Sequence, residues 1–441
     1  MIFGLVIIIG LTWIIMSTVF LHGYNSQMSK LRSGGRYSSL ADFQPPNVPP
    51  DQNAATIYTD MINRNVDREL SEDWRKLRSI LYATRNGKNR EQWKEARLIV
   101  NKHKKICDQI EKASKRPYCV FPMNWSENPP KDLFKYSHLL QYASIFYQAE
   151  AILDAKDGKS VNLEPIYTCI TLGESFSDKP DDILQMIRQM ILNSYCDTLL
   201  RILDYQEMSN HDLRSLYNIL SDIDLADGLK LSMKRNLLMG LVLPSAVVSP
   251  EILPNAPDTG FMNAIKGSTE SAFDVYYENI GQYGDKSVWV SYIDKLIQGM
   301  DLSYYEAQKQ NLLERPIPFY AVMTYQLGTV YGRYNSIRYY FESKLTSTRI
   351  ALALHAYQNL YGSYPSSIGE LRSKLGWEIP KDTFSDRDFI YRKTGNGFLL
   401  YSIGFDQKDD GGVDMDTKPR NSSGNRTGDI VFESQRQGSG I

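Results

Sequence analysis

Residues 341–361 read FESKLTSTRIALALHAYQNLY, and this stretch decides how the end of the chain folds. Apolar side chains recur three and four positions apart on two adjacent faces, so the spacing predicts a helix with a wide apolar stripe. The stripe consists of Leu345, Ile350, Leu352, Leu354, Ala356, Tyr357, Leu360 and Tyr361. Gly362 and Pro365 follow it and form a normal helix stop.

The residues after this helix predict a small sheet. A short helix is expected over residues 366–375, because Ser367 and Glu370 form a capping pattern. The stretch FIYRKTGNGFLLYSIG, residues 389–404, predicts two strands around a tight turn at residues 394–397. DIVFE, residues 429–433, predicts a third strand. We therefore expect an α+β module, a long helix with a small antiparallel sheet, over residues 336–434.

An acidic loop, FDQKDDGGVDMD, separates the second and third predicted strands at residues 405–416. Its five carboxylates belong to Asp406, Asp409, Asp410, Asp414 and Asp416. Ca²⁺ takes about 6–8 oxygen ligands in a tolerant geometry, and adjacent glycines let such a loop bend. The spacing does not fit the EF-hand pattern. A calcium site and a solvated acidic loop are therefore the two interpretations.

These segments together resemble a known family. AYQNLYGSYPSSIGEL at residues 356–371, LYSIGFDQKDDGG at residues 400–412 and the final DIVF are similar to the globular domain of type II secretion major pseudopilins. The resemblance implies a helix leading into a Tyr-Pro loop, a small antiparallel sheet and a calcium-binding loop. It implies that the five aspartates of residues 406–416 are the metal ligands and that Ca²⁺ is the bound ion.

The N-terminal residues 1–21, MIFGLVIIIGLTWIIMSTVFL, are uncharged and almost wholly apolar. A bilayer core needs about 20 such residues, and no small-residue cleavage site follows the run. The sequence therefore predicts a single-pass transmembrane anchor at residues 1–24, with residues 1–21 in the membrane. Lys30, Arg32 and Arg36 place the remaining chain in the cytoplasm by the positive-inside rule. The resemblance implies export instead, and we expect an extracytoplasmic, periplasmic body.

The middle of the chain predicts helices. Residues 25–52 form a linker rich in Pro, Gly and Ser. Residues 53–335 show successive helical patterns without a fixed repeat, with a Pro-rich break at residues 243–259. Residues 435–441 are expected to be a flexible tail. The predicted fold class is mainly α: a transmembrane helix, a multi-helix body and the C-terminal α+β module.

A second resemblance spans nearly the whole chain. The order of DQNAATIYTDMI (residues 51–62), RPYCVFPMNW (116–125), HLLQYASIFYQAEAILDAKDG (138–158) and the C-terminal module is similar to a group of uncharacterised membrane-anchored proteins of planctomycete-type bacteria. That group implies an architecture and no activity.

Composition and motifs exclude several functions. The formal net charge is −1, so bulk electrostatics give no support to a nucleic-acid partner, and we expect none. The five histidines are scattered without an HExxH motif. The cysteines form no CxxC pair, which leaves buried free thiols or a disulfide such as Cys107–Cys119.

The sequence favours a non-enzymatic protein over an enzyme. We expect a membrane-anchored envelope protein whose helical body is a scaffold or binds partners in the envelope, with a calcium-binding C-terminal module. One alternative is a subunit of a type II secretion or pilus-like assembly. The other is a hydrolase whose site residues meet only in the folded chain.

Overall fold

The computed structural model describes residues 2–33, 39–83, 90–127, 130–160, 162–242, 277–313, 316–318, 321–395, 397–415 and 427–434. The chain divides into two compact units. The first consists of Met1–Gln44, Pro180–Asp182 and Leu229–Ile337, and the second of Pro45–Lys179, Ile183–Gly228 and Arg338–Ile441.

Helices dominate the described residues, and the only sheet among them is a small antiparallel one near the C-terminus. The helices are α1 Ile2–Ser33, α2 Ala54–Asn63, α3 Val66–Ala83, α4 Arg90–Lys102, α5 Lys104–Ser114, α6 Leu133–Lys156, α7 Glu164–Glu174, α8 Asp182–Tyr205, α9 Asn210–Ser221, α10 Leu225–Val242, α11 Gln282–Gly299, α12 Tyr304–Lys309, α13 Val322–Tyr361 and α14 Ile368–Leu375. Short 3-10 turns lie at Leu40–Phe43 and Pro50–Gln52, and a π turn at Tyr277–Gly281 precedes α11. The mainly α prediction with a small antiparallel sheet is confirmed.

The predicted transmembrane anchor is wrong. None of the helices in the described ranges combines the length and apolar character needed to cross a membrane. Helix α1 continues past the apolar run to Ser33, and within the first unit it packs on α11. A Cβ at Gly284 would lie 2.7 Å from the Phe20 ring, and the rings of Tyr24 and Tyr283 lie 5.8 Å apart. This contact covers only part of the apolar run, because Leu11, Ile14, Ile15 and Val19 are exposed. The predicted single-pass membrane localisation with a periplasmic body, which rested on this anchor, is contradicted with it.

A buried carboxylate organises the start of α13 within the first unit. Asp285 on α11 accepts hydrogen bonds from the backbone amides of Met323 (2.6 Å) and Thr324 (3.0 Å). The hydroxyls of Thr324 (2.7 Å) and Tyr277 (3.0 Å) also donate to it. First-turn amides have no partner within their own helix, so this side chain supplies one. Burial raises the pKa of Asp285, and its four hydrogen-bond donors oppose that shift.

Helix α13 has 40 residues, about twice the length that the sequence predicted. Its apolar stripe begins near residue 341, but no proline or glycine pair interrupts the residues before it, so the helix starts at Val322. Residues 338–361 belong to the second unit. There Ile350, Leu352 and Leu354 have no exposed surface.

One side chain of α13 contacts both the helices and the sheet of the second unit. The Lys344 ammonium pairs with Asp197 of α8 at 3.3 Å. The same ammonium lies 5.0 Å from the centre of the Phe432 ring in the sheet. The last turn emerges from this packing, because the side chain of Leu360 is 59% exposed. The predicted apolar stripe is therefore buried except at its C-terminal turn.

The sheet contains β1 Ile390–Thr394, β2 Gly397–Ser402 and β3 Ile430–Ser434 in the order β1-β2-β3, with both pairs antiparallel. Tyr391 faces Leu400 across the first pair, and Leu400 faces Phe432 across the second. The predicted hairpin and last strand are confirmed. Central strand β2 is almost wholly buried.

Other sequence predictions differ in detail. Within the helical patterns of residues 53–335, the stretch from residue 91 to 115 forms two helices, α4 and α5, which are separated at His103. The His103 ring is buried and lies 2.7 Å from Asp73. Residues 225–242 form α10 just before the Pro-rich stretch. The predicted break at residues 243–259 and the predicted tail at residues 435–441 lie outside the described residues.

Leu352→Asp is expected to unfold the second unit. An unpaired carboxylate buried at this fully covered position costs several kcal/mol, which is comparable with the ~5–15 kcal/mol stability of a whole domain. Thermal unfolding of the full chain, followed by circular dichroism, measures the loss. Leu360→Asp on the exposed last turn of the same helix is the control. Equal melting temperatures for the two variants would contradict the packing of α13.

The start of α14 gives a pH-dependent prediction. The Glu370 carboxylate accepts from the Ser366 hydroxyl (2.6 Å), the Tyr357 hydroxyl (2.7 Å) and the Ser366 amide (2.7 Å), and these bonds hold the pKa of Glu370 well below its usual range. Folding lowers the pKa of Glu370, so the ionised carboxylate stabilises the folded state at pH values above the unfolded-state pKa of ~4.3. This stabilisation is lost as the pH falls toward the folded-state pKa.

Glu370→Gln should therefore lower the melting temperature at pH 7 and have progressively less effect as the pH falls below about 4. The exposed Glu378 in the same segment gives the matched control, Glu378→Gln. A melting difference that does not change with pH would show that the charge of Glu370 does not contribute.

Candidate functional site

Four of the five predicted calcium ligands lie in the described residues, and Asp416 lies outside them. Asp406 accepts from the backbone amides of Lys408 (3.2 Å) and Gly428 (3.4 Å). Asp409 accepts from the amide of Gly411 (2.9 Å) and the hydroxyl of Tyr401 (3.0 Å). In the part of the chain that the structure describes, no three His, Cys, Asp or Glu side chains form a group that could hold a metal ion.

A sixth carboxylate, that of Asp429, is hydrogen-bonded to this loop. From the sequence it was predicted only as the first residue of the last strand. Asp429 is buried and accepts from the amides of Asp410 (3.3 Å) and Gly412 (2.7 Å). Its own backbone bonds to Val413 and Met415. Burial raises the pKa of Asp429, and the two amide donors oppose that shift. Hydrogen bonds from backbone amides thus shape the described part of the loop.

Calcium binding by residues 405–416 stays a prediction with a direct test. If the loop binds Ca²⁺ only when folded, millimolar calcium raises the melting temperature of the full chain. Replacing Asp409 and Asp410 together by Asn should abolish that rise. Magnesium at the same concentration is the control ion. No calcium-dependent rise in the unchanged chain would leave a solvated acidic loop.

The helical part of the second unit encloses a cavity of about 280 Å³. Helices α3, α6 and α8 supply most of its wall, and α13 supplies Phe341. The lining residues are Trp74, Arg78, Leu81, Tyr82, Gln141, Ser144, Ile145, Gln148, Ile152, Met190, Ile191, Asn193, Ser194, Asp197, Thr198, Arg201 and Phe341. They recur three, four or seven positions apart, so each helix presents one face to the cavity.

The lining of the cavity combines exposed side chains with a buried polar floor, which consists of Ser144, Gln148 and Thr198. Tyr82 at the end of α3 is 79% exposed, and Met190 on α8 is 37% exposed. Ser144, Gln148 and Thr198 are all buried. Buried amides and hydroxyls are far less common than buried apolar side chains, so a polar floor among apolar helices is informative.

The floor is partly connected by hydrogen bonds. Gln148 Oε1 accepts from the hydroxyl of Ser194 at 2.6 Å and from that of Thr198 at 3.4 Å. Thr198 also bonds back to the carbonyl of Ser194 at 3.0 Å, and Ser144 bonds to that of Gln141 at 2.8 Å. These bonds fix the direction in which Gln148 points, because its acceptor end is held by two neighbours.

Three polar atoms of the lining residues lack a hydrogen-bond partner among the described residues: Trp74 Nε1, Gln148 Nε2 and Asn193 Oδ1. The Gln148 amide lies close to the Cys169 thiol, where it opposes the burial that raises the pKa of that thiol, but sulfur is a weak acceptor. A buried polar atom without a partner costs about 1–3 kcal/mol. A small shift of the wall that supplied partners to these atoms would recover part of that cost.

The charged groups of the lining already have neighbours. The Arg78 guanidinium lies 5.5 Å from the centre of the Trp74 ring. Arg201 donates to the carbonyl of Leu81 at 2.8 Å, and Asp197 pairs with the buried Lys344. The lining therefore combines both signs of charge with neutral donors and acceptors.

The cavity residues suit binding better than catalysis. A hydroxyl becomes a nucleophile when a base accepts its proton. Here the Ser194 hydroxyl donates to an amide oxygen, which is not a base, and Ser144 and Thr198 donate to backbone carbonyls. No histidine, cysteine, lysine or glutamate is among the residues that line it.

The cysteines do not form a reactive site. All four are free, and Cys107, Cys169 and Cys196 are buried, which agrees with the interpretation of buried thiols and not with a Cys107–Cys119 disulfide. Burial raises the pKa of Cys107 to about 12 and that of Cys119 to about 11. Thiolate is the reactive form, so these thiols are inert at neutral pH.

This cavity was not predicted from the sequence, although the spacing of polar residues on two helices indicated it. Gln141, Ser144 and Gln148 lie three and four positions apart on α6, which is otherwise strongly apolar. Thr198 and Arg201 repeat that pattern on α8. A polar row within an apolar helix marks a lined cavity or a buried network, and only the fold shows that the two rows face each other.

No family model, no curated protein and no solved structure matches this chain. The resemblance to the major pseudopilins, and with it the implied secretion or pilus-like assembly, stays a prediction.

Proposed function

We propose that this chain is a non-enzymatic binding protein whose helical body takes up a small polar molecule in the cavity of the second unit. The observation that carries this proposal is a cavity lined by this buried polar floor and by the exposed ring of Tyr82. Binding sites are typically concave, with a few polar groups fixed among apolar and aromatic side chains. This proposal keeps the partner-binding body expected from the sequence and assigns the recognition to particular residues.

The arrangement of the wall supports ligand uptake. Its residues come from three stretches of sequence, at positions 74–82, 141–152 and 190–201, together with Phe341. A ligand that contacts all of them requires the folded second unit, because the unfolded chain does not bring these stretches together. Such a ligand stabilises the fold in proportion to its occupancy.

A hydrolase is less well supported at this cavity. Acid–base catalysis needs a titrating group within hydrogen-bond reach of the reacting atom. Asp197 is the only carboxylate in the lining, and the Lys344 ammonium lies 3.3 Å from it. Asp197 therefore supports ligand recognition or the positioning of α13 better than proton transfer.

The proposal is tested by a thermal-shift screen of the full chain against small polar molecules: sugars, amino acids, nucleosides and inorganic phosphate. At least one class is expected to raise the melting temperature, because binding to the folded form alone stabilises it. Tyr82→Ala should weaken that shift without lowering the melting temperature of the ligand-free chain, since the side chain is 79% exposed.

Tyr118→Ala, which removes another exposed tyrosine of the second unit away from the cavity, is the matched control. A shift that Tyr82→Ala leaves unchanged would place the ligand elsewhere. The absence of any shift at about 10 mM, tenfold above a Kd of about 1 mM, would contradict the proposed function.

A further inference from the structure

We propose that the ligand of this cavity is a small organic monoanion, a carboxylate with an apolar body, an inference that rests on the proposed function. The charge of the lining is the first argument. Two arginines, Arg78 and Arg201, and one carboxylate, Asp197, line the cavity, and their charges leave a formal charge of +1. Asp197 is in addition paired with the buried Lys344 at 3.3 Å. The described lining is therefore positive and complements a ligand with one negative charge.

Arg78 is the guanidinium that a ligand in the cavity can reach from solvent, because its side chain is exposed and lines the cavity. The residues one turn before and after it on α3 are Trp74, Arg75, Leu81 and Tyr82. None of them is acidic, so α3 provides no carboxylate at the spacing that forms ion pairs along a helix. The Trp74 ring lies 5.5 Å from the guanidinium, and this contact orients the guanidinium without removing its charge.

Arg201 of α8 brings a second positive charge to the same part of the wall. Its guanidinium donates to the carbonyl of Leu81 at 2.8 Å and lies 5.6 Å from the centre of the Trp93 ring. Both of these contacts are with uncharged groups, so neither removes its charge. Because Leu81 follows Arg78 by three residues on α3, the second guanidinium contacts this helix within one turn of the first.

The rest of the wall favours a carboxylate on an apolar body over an inorganic anion. Its apolar lining residues are Leu81, Ile145, Ile152, Met190, Ile191 and Phe341. An apolar body covers such side chains, while the forked N–H groups of a guanidinium match the two oxygens of a carboxylate. The volume of about 280 Å³ lies at the lower end of the ~300–1,000 Å³ of ligand sites, so the body is about one ring in size. A phosphate dianion carries more charge than this lining balances.

The test is isothermal titration calorimetry of the full chain with benzoate, phenylacetate and hexanoate, each compared with its uncharged amide. Benzylamine, glucose, adenosine and inorganic phosphate form the comparison set. At least one carboxylate is expected to bind, and its amide to bind at least about threefold more weakly, because hydrogen bonds to charged groups are stronger. Arg78→Gln should weaken the carboxylate by about three- to tenfold. Arg75→Gln removes the same charge from an exposed position of α3 outside the lining and should leave the affinity unchanged.

The outcomes separate this inference from the proposed function. If an amide, benzylamine, glucose, adenosine or phosphate binds, Tyr82→Ala weakens it and no carboxylate binds, the carboxylate is overturned and the binding cavity is retained. If a carboxylate binds no more tightly than its amide, or if Arg78→Gln and Arg75→Gln change its affinity equally, the role of Arg78 is overturned. No heat with any of these compounds at about 10 mM overturns both the inference and the proposed function.

Discussion

The burial of α13 between residues 350 and 356 is the constraint on which the second unit depends. Ile350, Leu352 and Leu354 have no exposed surface, and the alanines between them are buried too. Each large side chain that leaves water contributes about 1.5–3 kcal/mol. A helix that is buried on every face can pack against two layers, so the helices of the body and the small sheet share one core.

The same helix also carries polar side chains into that core. Three of them have an ion-pair or hydrogen-bond partner. Lys344 reaches Asp197 on α8, while Ser347 and Thr348 bond back to the carbonyl of Lys344. Because Asp197 lines the cavity and Phe341 lies one turn before Lys344, the helix that organises the core also forms part of the cavity wall. The binding site is thus built on rigid elements, and its shape follows from the packing of the fold.

The acidic loop and the cavity differ in how far apart their residues lie in the sequence. The five aspartates of the loop are close in sequence; Asp406 and Asp409 accept hydrogen bonds from nearby amides and the Tyr401 hydroxyl, and the buried Asp429 accepts from the amides of Asp410 and Gly412. The lining residues of the cavity are dispersed over more than 260 positions, from Trp74 to Phe341, and no local pattern connects them. Contacts between distant residues are decided by packing, which a local motif does not record.

The sequence by itself determined the local elements near the C-terminus. Helical spacing, the Ser367 cap, the hairpin turn and the last strand were all predicted, because periodicity and turn chemistry act over a few residues. It could not determine the environment of the apolar N-terminal run. The tertiary structure shows that run as part of a longer helix that packs on α11 and leaves Leu11, Ile14, Ile15 and Val19 exposed. Tertiary structure alone also decided that the polar rows of α6 and α8 face one another across a cavity, because the angle at which two helices pack depends on the whole set of side chains between them.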